Sequence, residues 1–126
     1  MSKIFVSGSR SITNLKLIDK ALESITNKDT VLVGDCYGVD TLVQEYCNFN
    51  DIPFIVYYVG TKPRNAVGIS TRLKKCFGFS QKAKDIQMAV DCDRAIAIWD
   101  GQSKGTHNNI LRLRDFGKDC VVFQDE

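Results

Sequence analysis

Along this chain a short, continuous apolar run repeatedly ends in a glycine-rich turn and is followed by apolar residues at helical spacing. Ile4-Phe5-Val6 leads to Gly8, and Leu15, Ile18, Leu22 and Ile25 follow; Thr30-Val31-Leu32-Val33 leads to Gly34, and Val39, Leu42, Val43, Tyr46 and Cys47 follow. Strands without polar alternation are buried on both faces, and their alternation with amphipathic helices predicts a parallel sheet covered on each side. The expected fold is therefore α/β, a Rossmann-like three-layer sandwich with a mainly parallel five-stranded sheet.

The remaining elements follow the same reading. Ile52 to Val59 is a third strand whose Pro53 suits a strand's first residue. Thr61 to Ser80 has weak periodicity and is expected to be a long loop holding at most a short helix. Ala83, Ile86, Ala89 and Val90 place a helix from about Ser80 to Asp91, with Ser80 as its cap. Ala95 to Trp99 is a strand, Asp100 to Gly105 a loop, Thr106 to Phe116 a helix with Ile110, Leu113 and Phe116 inward, and Cys120 to Phe123 the last strand. At 126 residues this is read as one domain, residues 1–126.

Several classes are set aside by composition. Three apolar residues near the N-terminus are too few for a signal peptide or a membrane span, so a cytoplasmic protein without a membrane partner is expected. Cys36, Cys47, Cys76, Cys92 and Cys120 form an odd, scattered set without a CxxC pair, which points to reduced, mostly buried thiols. One histidine, His107, gives neither a zinc ligand set nor a convincing triad. The formal charge of +2 does not predict a nucleic-acid partner. The segment Lys62 to Lys84 is nonetheless free of Asp and Glu, and reads either as a solvated basic loop or as an attractor of phosphates.

Three strand-to-helix loops carry the candidate chemistry. In an open parallel sheet, ligands bind outside the carboxyl ends of the strands where the strand order reverses, and crossovers of one hand bring such loops to one edge. The first loop holds Gly8, Ser9 and Arg10, small residues that let backbone N–H groups approach an anion beside a guanidinium. The second runs from Gly34 through Asp35 and Gly38 to Asp40, which is either a ligand residue or a helix cap. The third is Trp99, Asp100, Gly101, Ser103, Gly105 and Thr106 around Gln102 and Lys104, with hydroxyls and free N–H groups at a helix start. Trp99 is read first as a core aromatic and second as a stacking platform. Neither a Walker A loop nor a GxGxxG fingerprint is present.

Taken with Lys84-Asp85-Ile86-Gln87-Met88, these loops in this order resemble the SLOG superfamily, the Rossmann-like group named for sensor proteins and LOG (Lonely Guy) enzymes that also includes the DNA-processing protein A fold. The likeness is greatest to its small stand-alone members of bacterial or phage type. The resemblance implies a nucleotide, an ADP-ribose derivative or another nucleotide-derived small molecule as ligand, held by the three loops together with Lys84 and Met88. LOG enzymes are phosphoribohydrolases that use an arginine and the glutamate of a P-G-G-x-G-T-x-x-E motif. Here Lys84 stands in place of the arginine and Asn109 in place of the glutamate. An amide cannot serve as that carboxylate, and a lysine loses the bidentate fork. A binding protein acting as sensor, carrier or sequestering agent is therefore expected, and a nucleotide N-glycosidase is the alternative, with Asp35, Asp40 or Asp100 supplying the carboxyl group. No cofactor is expected beyond a Mg²⁺ ion arriving with a phosphate ligand, and the protein is expected to form a homo-oligomer.

Overall fold

A computed structural model describes residues 1–68 and 71–125. Ten elements run in the order β1 (Lys3–Gly8), α1 (Leu15–Leu22), β2 (Thr30–Val33), α2 (Val39–Phe49), β3 (Phe54–Tyr58), β4 (Arg72–Lys75), α3 (Gln81–Asp91), β5 (Arg94–Trp99), α4 (Lys104–Asp115) and β6 (Cys120–Gln124). The strands form one sheet in the order β4-β3-β2-β1-β5-β6, and every pairing is parallel. The order turns back between β1 and β5, so the switch point lies there, with Gly8 level with Ile98 in the register.

The sheet has six strands rather than the expected five. The addition is β4, within the stretch Thr61 to Ser80 that the sequence assigns to a loop; residues 69 and 70 of that stretch lie outside the described residues. All four residues of β4 are exposed, and it pairs only with β3. An edge strand of sequence RLKK contributes no side chain to the core, so it leaves no hydrophobic pattern, and its three cations keep other strands from adding to it.

Alternation along each strand divides the interior into two layers. Ile4, Val6, Val31, Val33 and Ile98 pack against Ile18, Leu22, Val39, Val43 and Cys47 of α1 and α2. Phe5, Leu32, Tyr57 and Ala95 face the other way, onto Met88 and Ala89 of α3 and Leu113 of α4. Each fully buried Leu, Ile, Val or Phe is worth roughly 1.5–3 kcal/mol. Two helix faces differ from expectation: Phe116 and Val90 are exposed, and the inward face of α3 is formed by Lys84, Met88 and Ala89. Ser80 caps α3, its hydroxyl accepting the Lys82 N–H. All five cysteines are free thiols, three of them buried. No helix among the described residues is long and apolar enough to cross a membrane.

Candidate functional site

The turns after β1, β2 and β5 open on one edge of the sheet and surround a cavity of about 390 Å³, the size range of small-molecule sites. Of the residues expected there, Gly8, Ser9, Arg10, Gly34 and Asp40 line it, as do Lys84, Met88, Asp100, Ser103, Gly105 and Thr106. Asp35, Gly38, Trp99 and Gly101 lie outside the lining, and the first three of these support it.

The rim is cationic and rich in donors. Arg10 is exposed and makes no ion pair among the described residues; its one polar contact among them is a long one from a guanidinium NH₂ to the Cys36 Sγ at 3.7 Å. Across the cavity α4 begins at Lys104, and the N–H groups of Lys104, Gly105 and Thr106 have no acceptor among the described residues. These first-turn N–H groups carry the positive end of the helix dipole. Asp100 holds this turn in place, one carboxylate oxygen accepting the N–H groups of Gln102 (2.9 Å) and Ser103 (2.7 Å), the other accepting the hydroxyls of Ser103 and Ser11 (both 2.8 Å). The backbone bonds from Ser103 and Gln102 hold its carboxyl far below the usual carboxylate range. A group so committed is a loop brace and not an acid or base. Ser9 joins the two loops, accepting the Asp100 N–H at 3.1 Å with its Oγ 3.4 Å from the Thr106 hydroxyl.

Trp99 stacks on His107 at the cavity's outer flank, with ring centroids 5.3 Å apart and an interplanar angle of 6°, and its indole N–H donates to the Ser103 carbonyl. It is therefore neither a core aromatic nor a platform inside the cavity. Gly38 has φ 84° and ψ −129°, and a Cβ there would lie 2.4 Å from the Arg10 carbonyl oxygen. Glycine at this position lets the second loop lie flat against the first and fixes the backbone of Arg10 beside it.

The floor has the opposite electrostatic character. Lys84, buried on α3, donates to the Asp35 Oδ1 at 3.1 Å. Asp35 also takes the Arg64 guanidinium at 2.9 Å and the Arg64 backbone N–H at 2.8 Å. Burial pushes the Asp35 carboxyl up, but the Arg64 bonds and the Lys84 charge outweigh it and hold it below its ordinary value. The buried Gln44 positions this assembly, donating to the Gly34 and Asn65 carbonyls and accepting the Val67 N–H, which lays the loop after β3 across the end of β2. Lys84 is thus neutralised from below, unlike the free phosphate ligand the sequence allows for.

Asp40 is the distinctive group. It is 9% exposed and lines the cavity; its Oδ2 accepts the Cys36 N–H at 3.1 Å. Burial pushes its carboxyl up to about 7 against the opposing Lys84 charge, and the negative charges of Asp85 and Asp35 add to the rise. A Cβ on Gly34 would lie 2.7 Å from the Asp40 Oδ2 and 3.0 Å from the Lys84 Nζ, so glycine there lets both approach the end of β2. Asn109 is buried, donating to the Ser7 Oγ at 2.9 Å and accepting from Arg112 at 2.7 Å.

Sequence reading missed Ser7, Ser11, Cys36, Gln81 and Asp85 as lining residues, and Arg64 as a support. Ser7 and Ser11 flank the Gly8-Ser9-Arg10 turn, and Asp85 sits next to Lys84, so their signal was proximity to motif residues. Gln81 carried none, and Arg64 only its membership of the basic segment Lys62 to Lys84, because their placement depends on the long connection after β3. Among the described residues no group of three or more His, Cys, Asp and Glu is arranged to hold a metal ion. No family model matches this chain and no curated protein matches its sequence, so its functional reading rests on the chemistry of this cavity.

Proposed function

We propose that this protein binds a nucleotide or nucleotide-derived small molecule of the kind SLOG-type domains hold, with the phosphate between Ser9-Arg10 and the Ser103 to Thr106 turn, in a sensor, carrier or sequestering role. The observation that carries this is the presence, in one cavity at the sheet's switch point, of an arginine without an ion pair and of the Gly105 and Thr106 N–H groups without an acceptor among the described residues. The reading takes the protein as cytoplasmic and self-associating, with a Mg²⁺ ion entering only with the phosphate and with no nucleic acid as partner. Sedimentation velocity reads the self-association directly.

Calorimetry over AMP, ADP, ADP-ribose, NAD and cyclic nucleotides tests the binding. A charge-assisted bond is worth about 1.5–3 kcal/mol, so Arg10→Ala is expected to weaken the best nucleotide about ten- to a hundredfold. Lys118→Ala, whose ammonium bonds the Val90 and Cys92 carbonyls at the other end of α3, is expected to change nothing. Equal affinity of wild type and Arg10→Ala would remove the phosphate site.

Phosphoribohydrolysis is the second reading, favoured by one observation: a cavity carboxyl, that of Asp40, pushed up to about 7. With Asn109 engaged by Ser7 and Arg112 and Asp100 bracing its loop, Asp40 is the remaining carboxyl for acid–base work among the three the sequence offers. Acid–base help is worth about 10²–10⁴-fold, and base release from AMP is expected to fall short of LOG-type enzymes by that order. Release at their rate, abolished by Asp40→Asn, would replace the binding reading with the enzymatic one.

A further inference from the structure

The binding reading above assigns the phosphate and leaves the cavity floor without a role. We infer that Asp40 is the specificity-determining residue of the site, accepting hydrogen bonds from the sugar hydroxyls of the ligand through its Oδ1.

The geometry carries this in three steps. First, only the Asp40 Oδ2 is occupied, by the Cys36 N–H; Oδ1 takes no hydrogen bond among the described residues although the side chain is more than nine-tenths buried. No buried side-chain oxygen or nitrogen among the described residues lacks a partner, so Oδ1 is reached from the cavity that Asp40 lines and is open there to a donor from a ligand. Second, that donor is neutral. The charged groups around Asp40 are Lys84 and Asp85 on α3, Asp35 after β2, and, across the cavity, Arg10 and Asp100 with the Cys36 thiol beside them. Lys84 is bonded to Asp35 and Asp100 is engaged with its own turn, so the floor carries more carboxylates than free cations and repels an anion. Third, the loop bearing Asp40 touches the loop bearing Arg10, since Gly38 lies against the Arg10 backbone. With a phosphate at Arg10, the nearest donors on a nucleotide are its sugar hydroxyls, and the base amino group lies farther away.

The inference rests on the nucleotide reading, and the test separates the two. AMP and 2′,3′-dideoxy-AMP are titrated by calorimetry against wild type and Asp40→Asn at pH 6 and pH 8. Wild type is expected to prefer AMP at least tenfold at pH 8 and less at pH 6, because the acceptor is the ionised carboxylate and its ionisation falls in that interval. The phosphate titrates alike in the two nucleotides, so it cancels from the ratio. In Asp40→Asn the preference is expected to drop below threefold and lose its pH dependence, while the dideoxy nucleotide binds at least as tightly as to wild type, because a negative charge has left the floor. A purely structural Asp40 would weaken both nucleotides together. Wild type binding both equally, or an AMP preference that survives in Asp40→Asn, overturns the assignment and leaves the phosphate site standing. Wild type binding neither overturns both. The wild-type ratio and its pH dependence need no variant, so a poorly folding Asp40→Asn does not protect the assignment.

Discussion

Asp40→Asn is expected to make the protein more stable at pH 8, by up to about 4 kcal/mol, with most of the gain gone at pH 5. The sign follows from proton linkage. The unfolded carboxyl ionises near its model value of 3.8, whereas burial holds the folded one at about 7. Between those values the folded chain keeps a proton that the unfolded chain has lost, so stability falls as pH rises, by 1.36 kcal/mol per unit, and levels off above about 7. Asparagine keeps the acceptor for the Cys36 N–H and has nothing to ionise. Urea unfolding at pH 5 and pH 8 measures the effect, with the advantage of the variant growing by about 2–3 kcal/mol between them. A difference that stays constant across this interval would mean that Asp40 ionises at ordinary acidity, and would withdraw the acid–base reading of the site.

On the nucleotide reading, the expected cost of this carboxyl at neutral pH is offset by what it does for a ligand, because packing alone would favour the amide. Both the stability change and the sugar preference depend on the same proton. Wild type loses stability between pH values of about 3.8 and 7, where only the unfolded chain has ionised, and the loss levels off as the folded carboxyl ionises, which is where discrimination is expected to set in.

The parts of this fold legible in the sequence are those written in apolar side chains. Ile4-Phe5-Val6, Val31-Leu32-Val33 and Ala95 to Trp99 fill both sides of the sheet, so their runs announced central parallel strands, and parallel crossovers brought their glycine turns to one edge. Strand β4 stayed hidden because its hydrogen bonds go to β3 while its side chains go to water. On α3 the apolar pattern pointed to Ala83, Ile86 and Val90, yet Lys84 faces inward, held by a partner 49 positions earlier in the chain. Buried polar contacts between distant segments leave no periodicity, and the floor of this site is built from them. The rim was the readable half: Ser9, Arg10 and Ser103 lie in loops, and Thr106 in the helix turn that follows one, whose glycine and hydroxyl content exceeds what a turn requires.

Among substitutions in that floor, Asp35→Asn is expected to cost about 3–5 kcal/mol, a large part of the 5–15 kcal/mol that keeps a domain folded. The loss is asymmetric across the pair. Asp35 has two cations, Lys84 at 3.1 Å and Arg64 at 2.9 Å, so removing either leaves it partnered. Lys84 forms one ion pair and is 2% exposed, so removing Asp35 strands its ammonium in the interior. Lys84→Met is accordingly expected to be the milder change, and Asp35→Asn/Lys84→Met to recover most of what Asp35→Asn loses, because no buried charge is then left without its partner. The pH dependence distinguishes this from loss of packing. Without Asp35 the nearest carboxyl to Lys84 is that of Asp40, which meets it at the end of β2 beside Gly34. Relieved of the Asp35 charge and facing an unpaired ammonium, Asp40 ionises more readily and takes over part of the pairing as pH rises. Urea unfolding should therefore show the Asp35→Asn deficit shrinking from pH 5 to pH 8, and Asp35→Asn/Asp40→Asn should abolish that recovery. A deficit independent of pH, or a double variant with Lys84→Met no better than Asp35→Asn alone, would show that the floor is held by shape and not by its charges.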